Sequence, residues 1–373
     1  MSAWRGVLGA LAVGLAACTV TVERSEPEIE SGYDILVATD SADPISRIRF
    51  MPGSGQAILL DNSQAVAASL NGARDLALSP DGVSLYASVG RGTPFGKLLR
   101  IDRAADSVTG QALLGLFPTT IDLTTAGEFA FVTNTNRNGE PAAGSVSKVH
   151  LPSMTEVARV QTCIGARGGR LDADGTRHYS VCMKNEVLVE IDAESSEISR
   201  LFLLTPDQEH PVARIPVLDP LADSDGPACS PTWVEPATGG GSVYVACSAS
   251  DEILEIDTRS WTLARRIPTG GHPFQLAITP DGRYLLATLH DRSAPATTVI
   301  ALGSGEFLAR IPNTAPRPHG IAVSRDSRYA FVSVEGAAGA GGAVDIIDLV
   351  TLSRVASVAV GPRPHGMVVA DGN

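Results

Sequence analysis

The side chains best placed for chemistry in this chain are arginines and histidines that recur at one kind of position. Seven short apolar stretches begin just after Arg74, Thr119, Arg167, Ser230, Phe274, His319 and His365. If those stretches are equivalent strands around one axis, Arg74, Arg167, His319 and His365 surround a single opening. A positive opening walled by low-dielectric protein focuses an anion, although arginine and histidine in such places also satisfy loop carbonyls. An anion held by both imidazoles would bind more tightly below about pH 6.5, the ordinary histidine value. Two histidines at equivalent places also raise the question of a metal. A metal site takes three or four ligands, and the nearest further candidates, His272 and His290, do not sit at matching positions, so no metal is assigned. Among nucleophile, phosphate and haem signatures, the sequence has no Gly-x-Ser-x-Gly, no Gly-rich phosphate loop and no Cys-x-x-Cys-His. Asp75 and Asp122 also come from the apolar stretches. They are expected to bond neighbouring backbone, since two carboxylates alone do not define acid–base chemistry.

The elements that must position these residues are strands. One unit recurs: a short apolar strand, a Pro-Asp-Gly-like turn, a second strand, a variable loop, a third strand ending Ile-Asp, and a fourth strand. The clearest copies are Asp75-Leu-Ala-Leu-Ser-Pro-Asp-Gly82, Gln275-Leu-Ala-Ile-Thr-Pro-Asp-Gly282 and Gly320-Ile-Ala-Val-Ser-Arg-Asp-Ser327. Third strands appear as Leu98-Leu-Arg-Ile-Asp102, Val187-Leu-Val-Glu-Ile-Asp192, Ile253-Leu-Glu-Ile-Asp257 and Val344-Asp-Ile-Ile-Asp348. The first turns fall near residues 82, 127, 175, 239, 282, 327 and 372, steps of 43 to 48 residues with one of 64. Short strands at that period are propeller blades, and no sustained helical period competes. The chain ends on one more first strand, 365–369, while 33–49 supplies a second and third strand with none before them. The expected fold is therefore all-β, a seven-bladed β-propeller of four-stranded antiparallel blades over 33–373. Its ring is closed by the C-terminal strand joining the N-terminal blade, which removes an exposed sheet edge.

This repeat is similar to that of the YVTN-type β-propeller family. Phe131-Val-Thr-Asn134 and Gly361-Pro-Arg-Pro-His-Gly366 are close matches to its pattern, and the resemblance covers 33–372. It implies the fold. For function it implies less, because the family includes cell-surface proteins, lactonase-like enzymes and haem-binding domains. Three readings follow: a non-catalytic propeller binding a small anion, polysaccharide or protein partner; a lactonase-like hydrolase with a metal-assisted site at the channel mouth; or a periplasmic haem-binding redox accessory. The absence of a compact acid, base and nucleophile motif favours the first, with no cofactor and a monomeric chain. The formal net charge of −12 and only three lysines, Lys97, Lys148 and Lys184, argue against nucleic acid as a partner.

The N-terminus reads as an address. Arg5 precedes an apolar run, Val7 to Ala17, far shorter than the roughly 20 residues that span a bilayer. Leu15-Ala16-Ala17-Cys18 resembles a bacterial lipobox, which implies a signal peptide over 1–17, lipidation of Cys18 and an acidic tether over 18–32. The protein is then expected to be exported and lipid-anchored at the outer membrane of a Gram-negative bacterium, touching the membrane through that anchor alone.

Strand order separates the two ends of the ring. First-to-second and third-to-fourth connections are tight, whereas second-to-third and fourth-to-first loops are long, so the loop-rich face is the candidate working face. The longest insertion, Leu204 to Cys229, joins a fourth strand to a first and is expected to flank or cover the channel mouth. Four cysteines remain after Cys18, and export would place them where disulfides persist. Cys182 and Cys247 both end second strands. Cys163 and Cys229 both precede the first strands of those same blades, so Cys163–Cys182 and Cys229–Cys247 are the expected pairs. Cross-blade pairing (Cys163–Cys229 with Cys182–Cys247) and four free thiols are the rivals.

Overall fold

Two recurrent turns explain why the chain breaks into short antiparallel strands. In Ser79-Pro-Asp-Gly82 the Asp81 carboxylate accepts from the Val83 amide at 3.0 Å, and the Gly82 amide donates to the Ser79 carbonyl at 2.8 Å. Gly82 sits at φ +71°, a left-handed conformation open to glycine without strain. Thr279-Pro-Asp-Gly282 repeats the arrangement, with the Arg283 amide donating to Asp281 at 3.0 Å and Gly282 at φ +69°. At the other tight turn the aspartate of each Ile-Asp strand end accepts two backbone amides. Asp102 takes those of Ala104 and Ala105, Asp192 those of Glu194 and Ser195, Asp257 those of Arg259 and Ser260, and Asp348 those of Val350 and Thr351.

The computed structural model describes residues 32–39, 45–63, 65–66, 72–90, 95–136, 143–216, 228–337 and 340–371, together with Met1. The lipobox Cys18 and the proposed tether lie outside the described residues, apart from Gly32. Among the described residues seven antiparallel sheets form the seven blades of a β-propeller; six have four strands and one has five, and in six of the seven the strands pair in chain order. Their inner strands are Ala73–Leu78, Pro118–Leu123, Ala166–Leu171, Pro231–Pro236, Pro273–Ile278, Arg317–Val323 and Pro364–Asp371, which define blades 1 to 7. Blade 7 is composite. Its inner strand is the C-terminal Pro364–Asp371, hydrogen-bonded to Tyr33–Thr39, which pairs in turn with Ile45–Met51 and Gln56–Ser63. The ring therefore closes as the sequence predicts.

The core lies between blades. Leu98 of blade 1 packs with Val132 and Val149 of blade 2, and Tyr329 and Phe331 of blade 6 with Ile35, Val37 and Phe50 of blade 7. Burying each such side chain contributes about 1.5–3 kcal/mol, and the repetition of one apolar seam around the ring replaces a single central core.

Both predicted disulfides are present, each within its own blade: Cys163–Cys182 with Cα atoms 5.7 Å apart in blade 3, and Cys229–Cys247 with Cα atoms 4.4 Å apart in blade 4. Part of the insertion is itself a strand. Its His210–Val212 segment adds a fifth strand to the outer edge of blade 3, pairing Leu203 with His210 and Leu201 with Val212. Glu209 then ion-pairs with Arg266 of blade 4. The apolar alternation of Glu197–Leu203 leaves an edge that this strand covers. The Pro216 carbonyl accepts from the Asn185 side-chain amide at 2.9 Å, and 217–227 lie outside the described residues.

Candidate functional site

In six of the seven blades the inner strand begins before the residue singled out in the sequence, so that residue lies inside it. There the pairing with the second strand breaks register, between Ala73 and Asp75, Pro118 and Thr120, Pro231 and Trp233, and Pro273 and Leu276. Blades 6 and 7 break register at the matching place, and blade 3 one residue later, after Arg167 pairs with Val181. A bulge unpairs one residue and re-aims its side chain, here into the channel. This alignment also corrects one assignment. Pro231 pairs with Cys247 as Pro273 pairs with Leu289, so the blade 4 position is Thr232, and Ser230 precedes the strand.

Glycine follows the channel residue in three blades, and packing requires it. A Cβ on Gly320 would lie 2.2 Å from the His365 carbonyl oxygen, and one on Gly366 only 2.8 Å from the Asp75 Cα. Neighbouring inner strands come this close only where no side chain separates them. Arg-Pro-His-Gly occurs twice, at 317–320 and 363–366, and sets matching arginines and histidines at the mouth in blades 6 and 7.

Arg74, Arg167, His319 and His365 all line one cavity of about 490 Å³. The structure thus brings together all four residues selected from the sequence. It adds Arg292, Arg317, Arg363, His290, Phe274 and Glu335. Phe274 is the floor: His290 stacks on it at 3.8 Å, the His319 ring lies 4.6 Å away, and the Arg167 guanidinium stands 5.0 Å above it. His365 Nδ1 is 3.1 Å from His319 Nε2. Glu335 accepts from Arg317 at 3.2 Å and brings its other carboxylate oxygen to 3.9 Å from His365 Nδ1.

Sequence reasoning missed Glu335 and set His290 aside, yet the two are equivalent. Val334 pairs with Pro318 as Leu289 pairs with Pro273, so each follows the paired end of its second strand. Aligning second-strand ends as well as first-strand starts would have found both. His272 does not join them; its ring faces solvent against Asp251 at 2.7 Å.

The electrostatics are one-sided. Burial, and then the positive field of Arg167 and Arg317, pushes His290 down to about 3. Burial holds His319 well below its ordinary value, helped by His365, His290, Arg74 and Arg167. Both imidazoles are therefore neutral at neutral pH. The expected tightening of anion binding below pH 6.5 assumed that both imidazoles charge there, and burial works against this at His319.

Below the mouth the channel narrows to a waist of about 30 Å³ between Arg74, Arg167, Thr232 and Phe274, then opens into a vestibule of about 540 Å³ at the tight-turn end. That end is acidic. Arg170 lies 3.8 Å from Glu235 and stacks over Trp233 at 4.4 Å. Asp75 accepts the Ile121 amide of blade 2 at 2.9 Å, and Asp122 the Leu171 amide of blade 3 at 2.7 Å. These aspartates tie adjacent inner strands together, as expected of backbone-bonding carboxylates. Burial lifts Asp75 to about 6 and Glu235 to about 7, against the pull of Arg170.

No family model matches the chain, and no curated protein matches it in sequence. Solved structures do resemble it. The periplasmic gluconolactonase of Pseudomonas aeruginosa aligns with a TM-score of 0.68 and 17% identity over 92% of this chain and 100% of that one. Hydrazine synthase of Kuenenia stuttgartiensis aligns with a TM-score of 0.62 and 19% identity over 82% and 92%. A Desulfotomaculum acetoxidans protein of unknown function gives 0.67 and 14% over 92% and 100%. At these identities the likeness establishes the fold alone.

Proposed function

We propose that the protein is an extracytoplasmic propeller that binds a small anionic molecule, carrying a carboxylate or phosphate, in the mouth of its channel. One observation carries this reading. Among the described residues, five arginines and a single carboxylate line a 490 Å³ cavity in a chain of net charge −12. A concentration of guanidinium forks against the overall charge is what recognition of carboxylate or phosphate needs, and the volume suits a small molecule. The two buried disulfides support export, since such bonds persist in oxidising compartments. The resemblance of 15–18 to a lipobox adds a lipid anchor to the proposal.

Binding is favoured over hydrolysis by the imidazoles. Rings held as low as His290 are weak general bases at neutral pH, where efficient proton abstraction calls for a pKa near the working pH. A sugar acid such as gluconate is the first probe, suggested by the gluconolactonase among the structural neighbours. Calorimetric titration with gluconate and with inorganic phosphate tests the reading. The expected result is saturable binding that weakens roughly 10- to 100-fold in Arg167→Ala, the loss of one charge-assisted contact. Unchanged binding in Arg167→Ala would contradict it, and gluconolactone hydrolysis above background would replace it with the lactonase reading.

A further inference from the structure

We propose that His319, Glu335 and His365 hold one divalent transition-metal ion at the channel mouth. The proposal stands independently of the anion reading. One ligand atom from each residue falls in a group whose members all lie within 4.8 Å of one another. His319 Nε2 and His365 Nδ1 are 3.1 Å apart, and Glu335 Oε1 is 3.9 Å from that same His365 nitrogen. Two nitrogens bound to one ion at the usual metal–nitrogen length stand roughly 3.0–3.4 Å apart, so the imidazole pair already has the spacing of adjacent ligands. Two ring nitrogens facing each other at this distance cannot both carry protons, so at least one lone pair points into the gap. The Glu335 carboxylate turns one oxygen toward the same His365 nitrogen, 3.9 Å away and so beyond hydrogen bonding. A cation between them would take one ligand atom from each residue.

The surroundings fit a ligand set. Arg317 engages Glu335 Oε2 at 3.2 Å and leaves Oε1 toward the histidines, the orienting contact that metal-bound carboxylates commonly have. Glu335 and His365 are buried, at 6% and 5% exposure, on the second strand of blade 6 and the inner strand of blade 7, so the scaffold fixes both. Two imidazoles and one carboxylate suit zinc, cobalt or iron, whereas magnesium and calcium prefer all-oxygen sites. Three protein ligands leave positions open toward the arginine-lined cavity. Arg74, Arg167 and Arg317 oppose a further positive charge there, so removing Arg74 should not weaken the metal.

Metal-stripped protein titrated with Co²⁺ alone, followed by calorimetry and visible absorption, tests this. The expected result is uptake of one ion per chain, with absorption bands of a nitrogen- and oxygen-ligated cobalt. Affinity should fall at least about 100-fold in Glu335→Gln and in His365→Ala, while Arg74→Ala binds cobalt at least as tightly as the wild type and binds phosphate more weakly. Matching thermal unfolding and circular dichroism would show that the variants fold; if His365→Ala does not, His319→Gln takes its place. No uptake by the wild type, uptake unchanged in the ligand variants, or an equal loss in Arg74→Ala would overturn the proposal. Cobalt binding without phosphate binding would remove the anion reading and leave the metal, and the reverse would do the opposite.

Discussion

His178 shows at residue scale how the interior of this fold treats charge. It is completely buried, its ring lies 5.3 Å from that of Phe131, and neither ring nitrogen has a hydrogen-bond partner. Burial, aided by Arg170, pushes it down to about 3. Because the folded value is below the unfolded one near 6.5, the unfolded chain takes up a proton that the folded chain refuses. The contribution of His178 is full above about pH 6.5 and is lost as pH falls toward about 3. His178→Phe keeps the stacking and removes the titration, so its melting temperature should fall less between pH 7 and pH 4 than that of the wild type. Parallel melting curves across that range would show that His178 does not titrate as described. At the mouth, Arg74, Arg167, His319 and His365 were legible because one alignment of repeats put them at one position. Glu335, Arg292 and Arg317 were not. They lie at strand ends or in loops of variable length, where a single sequence carries no register.

At the scale of elements, the repeat was legible because its turns have strong local chemistry. Pro-Asp-Gly and Ile-Asp mark strand ends by backbone hydrogen bonds that need no tertiary context. The outer strands were less so. His210–Val212, the added strand of blade 3, is three residues long and precedes proline- and aspartate-rich sequence that reads as loop. The inner-strand boundaries were missed because a bulge interrupts the alternation that would announce them. The disulfides were placed correctly from the parallel positions of their cysteines in two blades. They close loops of 19 and 18 residues, and each should stabilise the fold by about 3 kcal/mol. Replacing Cys229 and Cys247 together by serine should lower the denaturant midpoint without abolishing folding, since blade 4 keeps its full complement of paired strands. An unchanged midpoint would show that the bond adds nothing to the native state.

At the scale of the whole molecule, seven blades closed by a C-terminal strand were readable from strand counting at the two ends. The positive mouth was readable from the same alignment of repeats, but the cluster of Asp75, Asp122, Arg170 and Glu235 at the other end was not, because it depends on which end of the channel each side chain faces. The outcome is a polar channel, with arginines at the loop-rich mouth and Arg170 among Asp75, Asp122 and Glu235 at the other end. The proposed anchor belongs to this scale too: Cys18→Ser should release the protein from membranes or leave its precursor unprocessed, and normal processing with unchanged membrane retention would contradict it. The anion reading of the mouth is tested most directly by position. A crystal grown with selenate, an oxyanion that scatters anomalously, should show one strong selenium peak in the mouth within hydrogen-bonding distance of Arg74 or Arg167. A mouth without selenium, in crystals that hold it elsewhere, would contradict the account.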